Sequence, residues 1–129
     1  MKIYDKNNNL LALIVNENSK IEKDFKTEND LEFQVASFNL EKNTKIDRHY
    51  HPQNKRFINS TSEALILVSG KILVTIYDKD KEIVHSSSIS EGEMVVFFAG
   101  GHELSVEKDS YFFEIKQGPY NEKTDKVRF

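Results

Sequence analysis

No cysteine occurs among the 129 residues, which excludes disulfides, thiolate zinc sites and cysteine nucleophiles. Long apolar runs are missing too, since the longest, Leu10 to Val15, is far too short to span a bilayer. Residues 1–9 carry a lysine and an asparagine cluster where a signal peptide would carry its apolar core. These features read as a soluble, cytoplasmic protein with no membrane partner. A basic stripe is also lacking: 18 Lys+Arg and 21 Asp+Glu are interspersed, for a net charge of −3, so nothing offers nucleic acid an electrostatic footprint. The tail is locally basic at Lys123, Lys126 and Arg128, but Glu122 and Asp125 break the run, as on a solvated segment. No repeat, low-complexity block or Pro/Gly linker divides the chain. A single domain over residues 1–129 is expected, large enough to bury about two-thirds of its unfolded surface.

A sustained helical stripe is the remaining absence. Alternation takes its place. Residues 32–40 and 44–51 read as strands, as do 10–15, 83–89 and 94–99, with a shorter one expected within 21–26. Residues 64–77 are β-branched and aliphatic around Ser69-Gly70, which reads as a hairpin turn; Lys108-Asp109 likewise divides 102–106 from 111–117. Strands that are apolar on both faces, such as 65–68 and 95–98, point to two packed sheets or an up-and-down barrel.

One constellation stands out. His49 and His51 lie two apart on an alternating segment, so a strand would aim both imidazoles at one face, about 7 Å apart. Glu63 shares parity with Leu65 and Leu67, and His102 with Leu104 and Val106, so both polar groups belong to faces that are otherwise apolar. A carboxylate on such a face is costly unless paired or bound to a cation. His85, among Ser86, Ser87 and Ser88, reads as structural, at the surface or in a turn.

In these residues the chain resembles the cupin superfamily. Cupins carry a first motif G-x5-HxH-x3-4-E-x6-G; here Asn43 stands where the glycine would, followed by His49-x-His51, Glu63 and Gly70. Asn is the non-glycine residue that best tolerates positive φ. The gap at 52–62 is longer than the family's. Against the second motif, G-x5-PxG-x2-H, the chain offers Gly92, then Phe98-Ala99-Gly100-Gly101-His102, with Phe98 for proline and the histidine one residue early. The stretch Phe113-Glu114-Ile115-Lys116-Gln117-Gly118-Pro119-Tyr120, followed by Asp125-Lys126 and Arg128-Phe129, is similar to small cupins associated with bacterial surface-polysaccharide or acidic-sugar biosynthesis.

The resemblance implies an all-β double-stranded β-helix, the cupin jelly roll, with core motifs over about 43–117, a tail at 118–129, and a homodimeric assembly. It further implies a divalent metal (Zn, Fe, Mn, Ni or Co) held by His49, His51, Glu63 and His102. Neutral imidazole and carboxylate suit any of these metals. Asp47, on the parity of the two histidines, is a candidate to orient them. Glu114 and Lys116 share one face of the last strand: if it is interior they can move protons on a small polar substrate such as a sugar; if exterior they form a surface ion pair. Arg56, in the long loop, either clamps an anionic group of that substrate or is solvated. Tyr120 reads as a packing residue. Three functions remain open: a metal-dependent enzyme, a non-catalytic small-ligand binder, and a metal-independent sugar epimerase or isomerase in which one histidine works beside a buried carboxylate.

Overall fold

Aliphatic, β-branched runs become strands only where a neighbour takes up their backbone hydrogen bonds. The computed structural model describes residues 1–16 and 20–129, and among them all regular structure is β. In chain order the strands are β1 (Lys2–Tyr4), β2 (Leu10–Val15), β3 (Lys23–Phe25), β4 (Ala36–Phe38), β5 (Glu63–Tyr77), β6 (Ile83–Ser90), β7 (Met94–Phe97) and β8 (Gly101–Lys116). They fall into two compact units, Met1–Asn16 with Ser60–Phe129, and Glu17–Asn59. No helix among the described residues is long and apolar enough to cross a membrane.

The first unit is one antiparallel sheet in the order β1-β2-β7-β5-β6, with β8 on β5 as well, curled strongly into a half-barrel. β5 organises it. Residues 63–66 pair with β7, residues 71–77 pair with β6, and β8 runs along the opposite edge from Glu63↔Lys116 to Tyr77↔Gly101. The concave face holds the core: Ile3, Ala12 and Ile14, then Val95 and Phe97, then Leu65, Leu67, Ile72, Val74, Ile76 and Ile89. Apart from Ala12, each such side chain contributes about 1.5–3 kcal/mol by leaving water.

Ser69-Gly70 is not a hairpin, which corrects the reading of residues 64–77 as two strands. β5 continues through it, with register shifts against β8 between Leu67 and Ile72. Gly70 has φ +100°, and a Cβ there would lie 2.4 Å from the Asp109 carbonyl oxygen. This is a β-bulge, and it changes the buried parity from odd (Leu65, Leu67) to even (Ile72, Val74, Ile76). Both halves of the strand therefore feed one core while the sheet bends. The break expected at Lys108-Asp109 is the partner side of the same bulge, so β8 is also a single strand.

The second unit pairs β3 with β4, Lys23 opposite Phe38 and Phe25 opposite Ala36. Thr27 and Gln34 close the connection: the Val35 N–H donates to Thr27 Oγ1 at 3.0 Å, and Gln34 Nε2 donates to the Glu28 and Leu31 carbonyls. Strand β4 is far shorter than the expected 32–40. Residues 44–51 form no strand at all, a second correction. Their side chains alternate, but no ladder partner takes up their backbone groups, and all eight are exposed. Asn43 does adopt positive φ, at 74°.

Candidate functional site

Glu63 opens β5 on the concave face, beside Phe97 of β7 and Lys116 of β8. His102 lies near the start of β8, opposite Ile76 at the far end of β5. Thirteen extended residues would separate these positions by about 40 Å. The curl brings them together: Glu63 Oε1 lies 3.8 Å from His102 Nε2. That is too long for a hydrogen bond and close enough for strong electrostatic contact. The Phe97 ring stacks flat on the imidazole, 3.9 Å between centroids and 8° between planes. Ser62 N–H donates to Gln117 Oε1 at 2.7 Å, tying the start of β5 to the chain just beyond β8.

Burial acts on both groups. It raises the Glu63 pKa above 4.5, helped by the Glu114 carboxylate and opposed by Lys126 and Lys116. It lowers the His102 pKa below 6.5; Lys126 acts in the same direction and Glu114 against it. Both shifts favour the uncharged forms.

The pair lines a cavity of about 600 Å³ with Tyr77, Phe97, Lys126 and Arg128. That volume lies within the range of small-molecule sites. Lys116 is half-buried, whereas Glu114 is exposed, as are its neighbours Phe113 and Ile115. Lys116 ion-pairs with Asp125, lies 3.8 Å from Glu114 Oε1, and has its ammonium 4.7 Å from the centre of the Tyr120 ring. Its hydrogen bond to Asp125 is the main reason its pKa is raised. Glu114 and Lys116 therefore set the field around Glu63 from beside it.

The second unit carries His49, His51 and Arg56. All three are exposed and outside any strand. The two imidazoles are edge to face, 5.3 Å between centroids, and His49 Nδ1 lies 2.9 Å from the Asp47 backbone carbonyl. It is thus the carbonyl of Asp47, and not its carboxylate, that orients a histidine. Each unit holds two of the four expected metal ligands, and among the described residues no group of three His, Asp or Glu forms a ligand set. His85 lies half-buried in β6, where a surface or turn position was expected, its Nε2 2.9 Å from Ser87 Oγ.

Sequence reasoning missed Phe97, Tyr77, Lys126, Arg128 and Phe129 as parts of the site. Phe97 looks like any core aromatic, and mixed charge concealed the two tail cations. A signal was present in the tail's Asp125-Lys126 and Arg128-Phe129, which were part of the family resemblance. Comparison with protein-family models, with curated proteins and with solved structures finds no match to this chain.

Proposed function

We propose that the first unit binds a small polar carbonyl compound, such as a sugar or sugar derivative, and isomerises it through Glu63 and His102. One observation carries the reading: a buried carboxyl group and an imidazole 3.8 Å apart on the wall of a ligand-sized cavity. In the tautomer that leaves Nε2 unprotonated, His102 removes a proton from the carbon beside the carbonyl. The C–H electron pair forms the enediol as the carbonyl oxygen takes the Glu63 proton. The carboxylate then accepts the proton of the neighbouring hydroxyl, and the imidazolium returns its proton to the former carbonyl carbon, completing an aldose–ketose shift. Both groups are on one wall and serve one face of the substrate. This favours a shift between neighbouring atoms over inversion, which needs groups on opposite faces. The resemblance to small cupins of polysaccharide biosynthesis supports the substrate class, and with it a jelly-roll completion of the half-barrel and a homodimer.

Incubation with a panel of aldoses, ketoses and sugar acids in D2O tests the proposal. Wild-type protein should introduce deuterium at the carbon beside the carbonyl, read by proton NMR, and His102→Gln should not. No exchange across the panel, or undiminished exchange in His102→Gln, would reject it. Thermal shifts without exchange would instead identify a non-catalytic binder.

A second reading keeps the metal. The contact of His49 Nδ1 with the Asp47 carbonyl leaves Nε2 as a free lone pair, the state a metal-binding imidazole needs. The imidazoles of His49, His51 and His102 and the carboxylate of Glu63, the ligands the resemblance implies, are donors of the kinds that suit Zn, Fe, Mn, Ni or Co. A divalent ion held by them would polarise a substrate carbonyl.

A further inference from the structure

The cavity is lined by more than its reacting pair. Residues 125–129 form part of its wall and bring Lys126 and Arg128 to it. This segment is tied at both ends. Asp125 ion-pairs with Lys116 of β8, and its backbone N–H donates to the Asn121 carbonyl at 2.9 Å. The Phe129 ring packs edge to face on Tyr77, 5.4 Å between centroids, with the Lys81 ammonium 5.3 Å from its centre. Gly101 admits that ring: a Cβ on it would lie 2.6 Å from Phe129 Cζ. Lys126 and Arg128 lie between these two anchors.

The acids on the same wall are largely engaged. Asp125 is held by Lys116, and Glu103 accepts a hydrogen bond from the Tyr77 hydroxyl at 2.8 Å. Lys126 and Arg128 have no ion-pair or hydrogen-bond partner among the described side chains. Lys126 lines the same cavity as Glu63 and His102. Lys126 and Arg128 are exposed at this wall, so an anionic group of a ligand entering the cavity would meet two cations that no protein side chain has already taken. The planar guanidinium presents a fork that fits two oxygens of a carboxylate or phosphate, and the lysine adds a point charge.

We propose that Lys126 and Arg128 form an anion subsite that binds the carboxylate or phosphate of the ligand, held over the cavity by the Phe129 anchor against Tyr77 and Gly101. This rests on the reading of the same cavity as a substrate site and narrows the substrate to an acidic or phosphorylated sugar. A neutral sugar would leave both cations unanswered. The subsite also explains the packing at Gly101, where any side chain would displace the Phe129 ring and with it the segment that carries the cations.

The experiment is an amide-resolved NMR titration of the whole chain with inorganic phosphate, D-glucuronate, glucose 6-phosphate and glucose. Phosphate and at least one acidic sugar should shift residues 125–129 and Gly101, whereas glucose should not. A preference between glucuronate and glucose 6-phosphate identifies carboxylate or phosphate as the group bound. Arg128→Gln and Lys126→Gln should each weaken the acidic ligand by about tenfold, the loss expected for one charge-assisted contact. Phe129→Leu should retain more of the affinity than Phe129→Ala. Equal binding of glucose and glucuronate, wild-type affinity in the Arg128→Gln/Lys126→Gln double variant, or no shift with any probe would each overturn the subsite. His102→Gln separates the two proposals. Loss of exchange with retained anion binding fits both; absent exchange in wild type with anion binding lost in Arg128→Gln defeats the isomerase alone; normal exchange and binding in Arg128→Gln defeats the subsite alone.

Discussion

Glu63 and His102 stand at opposite ends of the β5–β8 ladder in register, yet their side chains are 3.8 Å apart. Only a sheet curled nearly onto itself brings the two together, so the site is a product of the bend. Phe97 completes it from β7 by covering one face of the imidazole.

That cover makes the titration of His102 a measure of the site's dryness. Phe97→Leu opens the imidazole face to water and relieves desolvation, the main cause of its lowered pKa. The His102 pKa, followed through its Cε1 proton by NMR, should rise toward 6.5. Stability should fall by about 1–2 kcal/mol for the smaller side chain. An unchanged or lower pKa would show that desolvation by Phe97 is not what holds the imidazole neutral.

The bend itself depends on Gly70. Alanine there meets the Asp109 carbonyl oxygen and the Ser110 backbone, and it must adopt a φ of +100°. Neither contact is the end of a flexible side chain, so the strain cannot relax locally. Gly70→Ala should cost about 1–3 kcal/mol in chemical denaturation. It should also move the His102 amide and ring signals, because the ladder ends meet only through the bend. Full stability with unmoved His102 signals would dissociate the bulge from the site.

The same glycine marks what the sequence could and could not reveal. β2 matches its expected bounds, β6 and β7 nearly do, and the parity of Glu63 with Leu65 and Leu67 put it on a buried face; on β8 His102 and Leu104 are only half-buried and Val106 is exposed. These are local patterns. Ser69-Gly70 looks like a hairpin locally, because hairpin and bulge both favour a glycine at positive φ. What decides between them is β8 lying across both halves of β5, a contact nearly forty residues away. Residues 44–51 alternate as a strand should, but alternation supplies only a face, and a ladder also needs a partner. Phe129 is apolar at a distance in sequence from every residue it touches, so periodicity could not place it against Tyr77 and Gly101.

The two buried groups of the pair should affect stability at different pH. Glu63 has a folded pKa above 4.5, so in the window from 4.5 up to that value the folded state holds a proton the unfolded chain has lost. Stability therefore falls as pH rises through this window. Glu63→Gln removes that fall, so its stability relative to wild type should improve as pH rises above 4.5 and then level off. His102 has a folded pKa below 6.5, so between its folded value and 6.5 the unfolded state binds the extra proton. This contribution is lost as pH falls through the window, and His102→Gln should abolish it. Urea midpoints measured from pH 4 to 8 give both slopes. Variant curves parallel to wild type would contradict the burial of these groups.

Metal dependence is decided by loading the protein rather than by its shape. If Glu63 and His102 act by proton transfer alone, exchange into sugar should persist after exhaustive chelation. His49→Ala should then be as active as wild type, because proton transfer by that pair makes no use of the His49 imidazole. If four ligands share one ion, protein purified without an affinity tag carries it stoichiometrically, and His49→Ala and His102→Ala each lose most of it. Elemental analysis of the two variants beside wild type separates the cases. Glu63→Gln adds an independent control: an amide still accepts a hydrogen bond but is a poor ligand and no acid, so it should stop exchange in either case and lower metal content only in the second. Wild-type exchange in Glu63→Gln would remove the carboxyl group from the chemistry altogether.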